Sequence, residues 1–165
     1  MEVIIENPER VKKADFIVGI PSFNEADCIS FPTQMASKGL CKFFPEKKSV
    51  IINLDNNSPD GTKSAFLNTP TDVPKIYIST PGEIRGKGNN LRNLFEAVVE
   101  LGAQAAVVVD ADLKSITPQW IQFLGEPLFA GFNYVTPIYI RHKYDGSITN
   151  HIAYPLLPSL LVNND

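Results

Sequence analysis

The chain has 165 residues, a formal net charge of −3, 44% hydrophobic residues and 20% charged residues. This length and composition fit one globular α/β domain with a substantial core, and they exclude the disordered and fibrous classes. The lack of a basic excess argues against nucleic-acid binding, and no apolar run approaches the ~20 residues of a membrane span. Cys28 and Cys41 match no metal or redox spacing, and no secretory leader opens the chain. We therefore expect a cytoplasmic protein with reduced thiols.

Apolar runs predict four strands in the first two thirds of the chain, at residues 15–20, 49–55, 75–79 and 105–109. Pro21 is expected to end the first of them. The fourth run is apolar throughout, which is typical of a strand buried on both faces of a parallel sheet. Such a sheet needs helices on both sides.

Helical patterns lie between these strands. Residues 25–38 predict a helix that Pro32 breaks or restarts and that Gly39 ends. Asp60 or Ser58 is expected to cap a short second helix, because both lie in a stretch rich in turn residues.

A third helix is predicted up to Gly102, from apolar residues at helical spacing that we expect to pack against the sheet. These residues are Leu91, Leu94, Phe95, Val98, Val99 and Leu101. Thr117 and Pro118 match an N-cap followed by proline at the first helical position, which predicts the start of a fourth helix.

The last part of the chain predicts one more strand and one more helix. Residues 134–140 predict the strand, with Pro137 at an edge or bulge. Residues 148–162 predict a helix interrupted by Pro155 and Pro158. Strands and helices therefore alternate, which indicates an α/β fold with a mostly parallel sheet.

Ligands of parallel sheets gather beyond the carboxyl ends of the strands, and in this sequence those ends are polar. Asp110 and Asp112 directly follow the fourth strand. Paired carboxylates at a strand end suit Mg²⁺ or Mn²⁺, particularly when a diphosphate supplies further ligands. The alternative is a helix N-cap or a solvated turn.

Two other strand ends carry candidate binding residues. Asp55 is predicted to accept hydrogen bonds from a base or ribose, and Asn56 offers both donors and acceptors; simple turn chemistry is the alternative. Residues 86–88 precede a helix N-terminus, and with Lys87 and Arg85 they suit a diphosphate. This loop is not a Walker A motif, and a solvated basic loop is the alternative.

Basic residues follow the last predicted strand. Arg141, His142 and Lys143 suit an anionic acceptor such as a phosphate or carboxylate, with a surface charge run as the alternative. His151 is a lone helical histidine, which favours a surface or packing role over metal ligation.

Four motifs, in this order, resemble the nucleotide-sugar domain of the GT-A glycosyltransferases. They are a strand ending at residues 21–25, a strand ending at Asp55 with the turn 58–62, the loop 86–88, and a strand ending in Asp110-Ala111-Asp112. The stretches 85–88 and 110–120 look most like the retaining glucosyl-3-phosphoglycerate and mannosylglycerate synthases. The resemblance implies a three-layer, Rossmann-like GT-A nucleotide-diphospho-sugar transferase fold. Residues 1–165 would then form a single nucleotide-sugar-binding domain that lacks the C-terminal acceptor-side segment.

The resemblance also implies a role for each matching residue. Lys87 and Gly88 would hold the diphosphate, and Asp112, assisted by Asp110, would carry Mg²⁺ or Mn²⁺ as the catalytic pair. Glu25 would bind the ribose hydroxyls. The nucleoside pocket as a whole would comprise Pro21, Phe23, Glu25, Asp55 and Asn56. Such a site would move a hexose from a UDP- or GDP-linked sugar to a small, polar or anionic acceptor of the glycerate type, with retention of configuration.

The sequence departs from the family pattern in two places. The family's third metal ligand is a histidine from a C-terminal region that this chain lacks, and His151 does not occupy its position. Ser147 stands where the synthases carry an arginine that grips phosphoglycerate, which argues against 3-phosphoglycerate as the acceptor. The acceptor residues are then expected to be Arg141, His142 and Thr149.

Other functions fit the sequence less well. The main alternative is a nucleotide-sugar-binding fragment without turnover. A sugar nucleotidyltransferase would show a glycine-rich loop after the first strand, where residues 21–25 contain no glycine, and a dehydrogenase would show G-x-G-x-x-G there. A missing segment or a second subunit would cover the apolar residues of the last predicted helix, so a homodimer is left open. These residues are Ile148, Ile152, Leu156, Leu157, Leu160 and Leu161.

Overall fold

A computed structural model of the chain describes residues 3–81 and 86–138, together with Ile152 and Leu156. The chain divides into two compact units, Met1–Val135 and Thr136–Asp165. The helices and strands given below all belong to the first unit, and the described residues of the second unit are all exposed. Over the described residues, no helix has the length and apolar character needed to cross a membrane.

The described part of the first unit contains five strands and four helices. The strands are β1 (Ile4–Glu6), β2 (Phe16–Ser22), β3 (Ser49–Asp55), β4 (Lys75–Ser79) and β5 (Ala105–Val108). The helices are α1 (Ser30–Phe43), α2 (Thr62–Asn68), α3 (Lys87–Leu101) and α4 (Pro118–Phe129). The sheet order is β1-β4-β3-β2-β5, with β1 antiparallel to β4 and all other neighbours parallel. The predicted α/β fold with a mostly parallel sheet is confirmed.

Helices cover both faces of the sheet, which gives three layers. Within β3, Ile51 joins the core cluster that contains Leu40 of α1 and Ile121 of α4. The adjacent Ile52 joins the cluster that contains Leu94 of α3. Because successive side chains of a strand point to opposite faces, each central strand contributes to two cores.

Several elements lie where the sequence predicts them. β3 and β4 have the predicted bounds, α3 ends just before Gly102, which has a φ of +65°, and α4 begins at Pro118. β1 has no counterpart in the sequence prediction, because three residues are too few to show a period.

Pro21 does not end β2, contrary to the prediction. The carbonyl of Gly19 accepts from Val109 N at 3.0 Å, whereas the carbonyl of Ser22 accepts from Asn56 N at 3.1 Å on the opposite side. Successive residues of β2 therefore bond in turn to β5 and to β3, and Pro21 is on the β5 side like Gly19. The pairing of β2 with β5 ends before Pro21, so its nitrogen faces no partner in that ladder. A proline is tolerated there because no N–H is needed.

The first helix is shifted from its predicted position at residues 25–38. α1 begins at Ser30, so that Pro32 lies in its first turn, where a backbone N–H would be unpaired in any case. Gly39 does not end the helix. A Cβ at Gly39 would lie 2.8 Å from the Cβ of Ile121, so the glycine allows α1 and α4 to pack closely.

Two predictions about burial are only partly correct. Val108 of β5 is 39% exposed, because in the described part of the chain β5 pairs with β2 alone and lies at the sheet edge. The apolar stripe of α3 is wider than one helix face. Leu94 is buried, but Phe95 and Val99 are 58% and 80% exposed.

The last predicted strand is not found where the structure can be described. Residues 134–138 form no strand, and Tyr134 and Ile138 are almost fully exposed, with no neighbouring strand to pair with. Residues 139–140 lie outside the described residues, as does the predicted helix at 148–162 apart from Ile152 and Leu156.

Candidate functional site

Four segments meet at the edge of the sheet where β2, β3 and β5 end and α3 begins. We call this edge the rim and define it by residues 22–26, 55–62, 86–88 and 109–113. Because β2, β3 and β5 are parallel neighbours, their carboxyl ends lie side by side. The rim therefore contains all four motifs that the sequence analysis singled out.

The segment after β2 is held in place by side chains of the segment after β3. The backbone N–H groups of residues 24–26 donate to Ser58 Oγ at 2.9 Å, Thr62 Oγ1 at 2.9 Å and Asp60 Oδ2 at 3.1 Å, in that order. Asn24 has a φ of +58°, a left-handed conformation that asparagine tolerates better than most residues. The loop is thus fixed by side chains from a neighbouring strand end.

Asp60 is a partner of this loop rather than a simple cap. Burial alone would raise its pKa, but hydrogen bonds from the Thr62 side chain and from the backbone of Ala26 and Thr62 lower the pKa of Asp60 below its ordinary value. The Thr62 N–H also donates to Asp60 Oδ1 at 3.0 Å, but the N-cap of α2 is Gly61 and no side chain caps this helix, so the predicted cap at Asp60 or Ser58 is wrong.

Asp55 is a buried residue of the rim. Its side chain has no exposed surface, and its carboxylate accepts four hydrogen bonds. The donors are Ser22 Oγ (3.0 Å), Ser58 N (2.7 Å), Ser58 Oγ (2.6 Å) and the Tyr77 hydroxyl (2.9 Å). A carboxylate has about four acceptor sites. Because the four hydrogen bonds within the protein use these sites, the structure contradicts the prediction that Asp55 contacts a base or ribose. Asp55 instead supports Ser22 and Ser58.

The network around Asp55 continues into the core. Burial raises the pKa of Tyr77 above its usual range, so the hydroxyl stays protonated and donates to Asp55. The side-chain amide of Asn53 donates to Ser22 Oγ and to the carbonyl of Ile20, both at 2.8 Å. The sequence shows these polar residues inside apolar strands but not what they contact.

The loop before α3 brings a cation to the acidic pair. The Lys87 ammonium forms an ion pair with Asp110 Oδ1, and both side chains are about half exposed. Gly86 has a φ of +128°, and its N–H donates to Asn56 Oδ1 at 3.3 Å. Residues 86 and 87 thus contact the residues that follow β3 and β5. They lie at the N-terminus of α3, where the helix dipole favours an anion.

The carboxylates of Glu25 and Asp112 lie close enough on the rim to repel each other. Burial raises the pKa of Glu25 above its ordinary value, and the negative charges of Asp112 and Asp60 raise it further. A depression of about 280 Å³ lies beside Asp112. Its lining residues are Asp27, Cys28, Phe31, Asp112, Leu113 and Lys114. Negative charge is therefore concentrated at this end of the rim.

The acidic pair fits a divalent cation only with help from a ligand. Among the residues that the structure describes, no group of three or more histidine, cysteine, aspartate or glutamate side chains is placed to hold a metal. Asp110 and Asp112 supply two carboxylates. Mg²⁺ is commonly bound by one or two carboxylates together with the phosphates of a substrate. The pair thus suits a cation that a bound diphosphate would also hold.

The remaining predicted site residues have mixed positions. Phe23 is 42% exposed on the rim, Gly88 is exposed beside Lys87, and Pro21 is buried within β2. The candidate acceptor residues Arg141, His142 and Thr149, together with Arg85 and His151, lie outside the described residues.

The sequence does not reveal the role of three rim residues. The sequence predicts a turn and a helix cap from Ser58, Asp60 and Thr62. In the structure these side chains support the backbone of residues 24–26. These polar residues around Gly61 indicate a turn. No local pattern shows that they accept hydrogen bonds from the backbone of a loop 34 to 37 residues away.

No protein-family model matches the chain, and a search of curated proteins also finds no match. Solved structures do match. Glucosyl-3-phosphoglycerate synthase from Mycobacterium tuberculosis, in complex with Mn²⁺, UDP-glucose and phosphoglyceric acid, has a TM-score of 0.63 and 23% identity. That comparison covers 89% of this chain and 50% of the synthase.

Two further structures agree with this one. The same synthase in complex with phosphoglyceric acid has a TM-score of 0.66 and 24% identity, over 89% of this chain and 50% of the synthase. A mycobacterial protein has a TM-score of 0.65 and 23% identity, over 90% and 48% of the two chains. This chain thus spans about half the length of the structures it matches. The expected similarity to the synthase group and the predicted GT-A fold are confirmed at the level of the fold.

Proposed function

We propose that this chain forms the donor-binding part of a metal-dependent glycosyltransferase. The observation that carries the proposal is the convergence of Lys87, Asp110, Asp112 and Glu25 on one rim. The reaction would move a hexose from a UDP- or GDP-linked sugar to a small, polar or anionic acceptor of the glycerate or phosphoglycerate type, with retention.

The diphosphate would lie beside Lys87. The ammonium group is about half exposed and its ion pair is with an exposed carboxylate, so it can also contact an arriving anion. The N-terminus of α3 and the exposed Gly88 favour close approach of phosphate oxygens. Lys87 would thus orient the leaving group and offset part of its charge.

Asp112 and Asp110 would hold Mg²⁺ or Mn²⁺, which supplies Lewis-acid stabilisation of charge on the departing diphosphate. The negative charge of Asp112 near Glu25 supports this assignment, because neighbouring carboxylates attract a cation. The Mn²⁺ in the matched synthase complex makes the same ion the first to test.

Glu25, Phe23 and Asn56 would bind the nucleoside. The backbone N–H of Glu25 donates to Thr62 Oγ1, which holds this residue on the rim, and its carboxylate would accept from ribose hydroxyls. Phe23 offers an exposed ring for a base, and Asn56 lies at the junction with the diphosphate loop. UDP is the preferred first ligand because the matched synthase complexes contain UDP or UDP-glucose.

Calorimetric titration with UDP, GDP and UDP-glucose, in Mn²⁺ and in EDTA, tests the donor site. We expect binding that requires metal and that Asp112→Ala reduces at least ~100-fold, since a metal-bridged diphosphate loses its cation. Asp72→Ala is the matched control, because Asp72 is exposed near the opposite edge of the sheet, before β4. Absence of binding to every ligand would refute the proposal.

Transfer is tested separately with UDP-glucose and glycerate, 3-phosphoglycerate or glycerol 3-phosphate. Product formation by the 165-residue chain would support the complete reaction. Metal-dependent binding without product would instead favour a nucleotide-sugar-binding fragment without turnover. Formation of a sugar nucleotide from a sugar phosphate and a nucleoside triphosphate would indicate a nucleotidyltransferase.

A further inference from the structure

The buried face of helix α3 begins with an asparagine. The buried residues of this helix are Asn90, Leu94, Ala97 and Leu101. Asn90 is only 1% exposed, although asparagine favours a helix interior less than leucine does, and a buried amide is costly unless it is hydrogen-bonded. The burial of Asn90 therefore depends on its hydrogen bonds. Its place in the first turn of α3 puts these bonds beside the candidate diphosphate loop.

Both polar atoms of the Asn90 side chain bond to residues at strand ends. Its Oδ1 accepts from the Thr80 hydroxyl at 3.0 Å, and its Nδ2 donates to the carbonyl of Ser22 at 3.4 Å. Ser22 is the last residue of β2, and Thr80 directly follows β4. The Thr80 N–H in turn donates to the carbonyl of Asp55, the last residue of β3, at 2.8 Å. One side chain thus fastens the first turn of α3 to the ends of the central strands.

The carbonyl of Ser22 connects the two parts of the rim. It accepts from the backbone N–H of Asn56 at 3.1 Å as well as from Asn90. Asn56 also accepts, through its Oδ1, from the N–H of Gly86 at 3.3 Å. Ser22 begins the segment after β2, and Gly86 begins the diphosphate loop. The distance between these two parts is therefore set by short hydrogen-bonded paths, and one of them passes through Asn90.

Close apolar packing holds α3 against the same strand one turn further on. A Cβ added at Gly19 of β2 would lie 2.5 Å from Leu94 Cδ2, so the glycine allows the helix to approach the strand closely. Asn90 and Leu94 are four residues apart and share one face of α3. Apolar contacts have no preferred direction, whereas hydrogen bonds do. We therefore attribute the approach of the helix to Leu94 and the exact placement of its first turn to Asn90.

We propose that Asn90 is a positioning residue that fixes the distance between the segment after β2 and the diphosphate loop. The proposal rests on the function proposed above, in which the first of these contacts the nucleoside and the second the diphosphate. A ligand that spans both parts gains affinity from their preset distance, because binding does not have to order them. A ligand that contacts only one part gains nothing. Asn90 thus acts on binding of the whole nucleoside diphosphate and not on binding of its pieces.

Calorimetric titration with UDP, uridine and Mg²⁺-pyrophosphate separates this role from direct contact and from damage to the fold. For Asn90→Ala we expect about a 10-fold loss of UDP affinity, with the affinities for uridine and pyrophosphate each changed by less than about twofold. Unchanged UDP affinity, or a comparable loss for either of the smaller ligands, would overturn the proposal.

Asn93→Ala is the matched control. The Asn93 side chain donates to the same Thr80 hydroxyl, at 2.9 Å, rather than to the Ser22 carbonyl. The substitution therefore removes a similar hydrogen bond from the same helix and leaves the path from α3 to β2 in place. We expect all three affinities to change by less than about twofold. A loss of UDP affinity equal to that of Asn90→Ala would contradict a specific role for Asn90.

Thr80→Val tests the same path with a milder change. Valine keeps the shape of the side chain and removes the hydroxyl that donates to Asn90, while the bond from Asn90 to Ser22 is retained. We expect about a 3-fold loss of UDP affinity and no loss for uridine or pyrophosphate. The double variant T80V/N90A should bind UDP no more weakly than Asn90→Ala, because both substitutions act on one network. Additive losses would show that the two residues act separately, contrary to the proposal.

Amide hydrogen exchange tests the positioning without a nucleotide. The amides of Asn89 and Asn90 donate to the carbonyl of Gly86 at 3.0 and 3.4 Å. We expect the Asn89 amide to lose about 10-fold in protection in Asn90→Ala, while the central amides of β2 and β3 keep theirs and Asn93→Ala changes neither. If the wild-type chain binds no nucleotide, the proposed function fails, and this measurement still decides whether Asn90 holds the turn. Unchanged protection at Asn89 would refute that role.

Discussion

The two halves of the rim differ in how the protein supports them. In the half formed by residues 22–26 and 55–62, backbone and side chains bond to one another, and the supporting Asp55 is fully buried. In the half formed by Lys87, Asp110 and Asp112, the charged side chains are partly or fully exposed. The first half is fixed by folding, whereas the second presents charge to the solvent.

This difference separates residues that shape the site from residues that would contact a ligand. A buried carboxylate with four donors is strongly coupled to stability, because each donor loses its partner when the carboxylate is removed. An exposed ion pair contributes little to stability but can exchange partners at small cost. Substitutions in the first half should therefore act through folding, and substitutions in the second half through binding.

The largest effect on stability is expected from Asp55→Asn. The amide introduces donors where the carboxylate accepts from Ser22, Ser58 and Tyr77, so we expect the free energy of unfolding to fall by about 3 kcal/mol. Urea unfolding followed by circular dichroism measures the change. Asp60→Asn, in the same segment but exposed, is the control and should cost about 1 kcal/mol.

Nucleotide binding by the Asp55→Asn variant shows whether Asp55 supports the loop or contacts the nucleotide itself. If Asp55 only supports the loop, Asp55→Asn lowers the affinities for UDP and GDP by the same factor at a temperature where the variant is folded. A loss confined to one base would mean that Asp55 reads the base, contrary to its burial in the structure.

Lys87→Met should show the opposite behaviour. We expect about a 10-fold loss of UDP affinity, because a charge-assisted contact to the diphosphate is removed, with the free energy of unfolding changed by less than about 0.5 kcal/mol. Uridine, which has no phosphate, should bind equally well to both proteins. Lys38→Met on α1 is the control for loss of an exposed lysine. An equal loss for uridine and UDP would show that Lys87 acts through the fold.

The same contrast explains which parts of the fold the sequence predicts. β3 and β4 are mostly apolar runs between turn residues, so local patterns fix their bounds. Pro21 and Gly39 mislead because local rules treat them as breaks. β2 continues through Pro21 because β5 ends early, and Gly39 lies inside α1 because α4 packs closely against it. Neither feature can be recognised in a short window of sequence.

At the candidate site, the sequence indicates which segments converge but not the role of each residue. Strand ends and glycines point to the rim because the topology of a parallel sheet brings them together. The burial of Asp55 depends on Tyr77 of another strand, and the exposure of Phe95 depends on which part of a wide apolar stripe meets the sheet. Such roles follow from three-dimensional packing, which residue type alone does not specify.

Glu25 connects the two halves, and Glu25→Gln should have a small effect on stability that depends on pH. Because the pKa of Glu25 is raised in the folded protein, the folded state binds this proton more tightly than the unfolded state, and stability falls as the pH rises above the unfolded value of about 4.3. Glutamine removes this penalty. We expect the variant to be more stable by about 0.5 kcal/mol at neutral pH and equal to the wild type at acidic pH, where the carboxyl is protonated in both states. Thermal unfolding across this pH range measures the difference. A constant difference at all pH values would show that packing, and not repulsion from Asp112 and Asp60, is responsible.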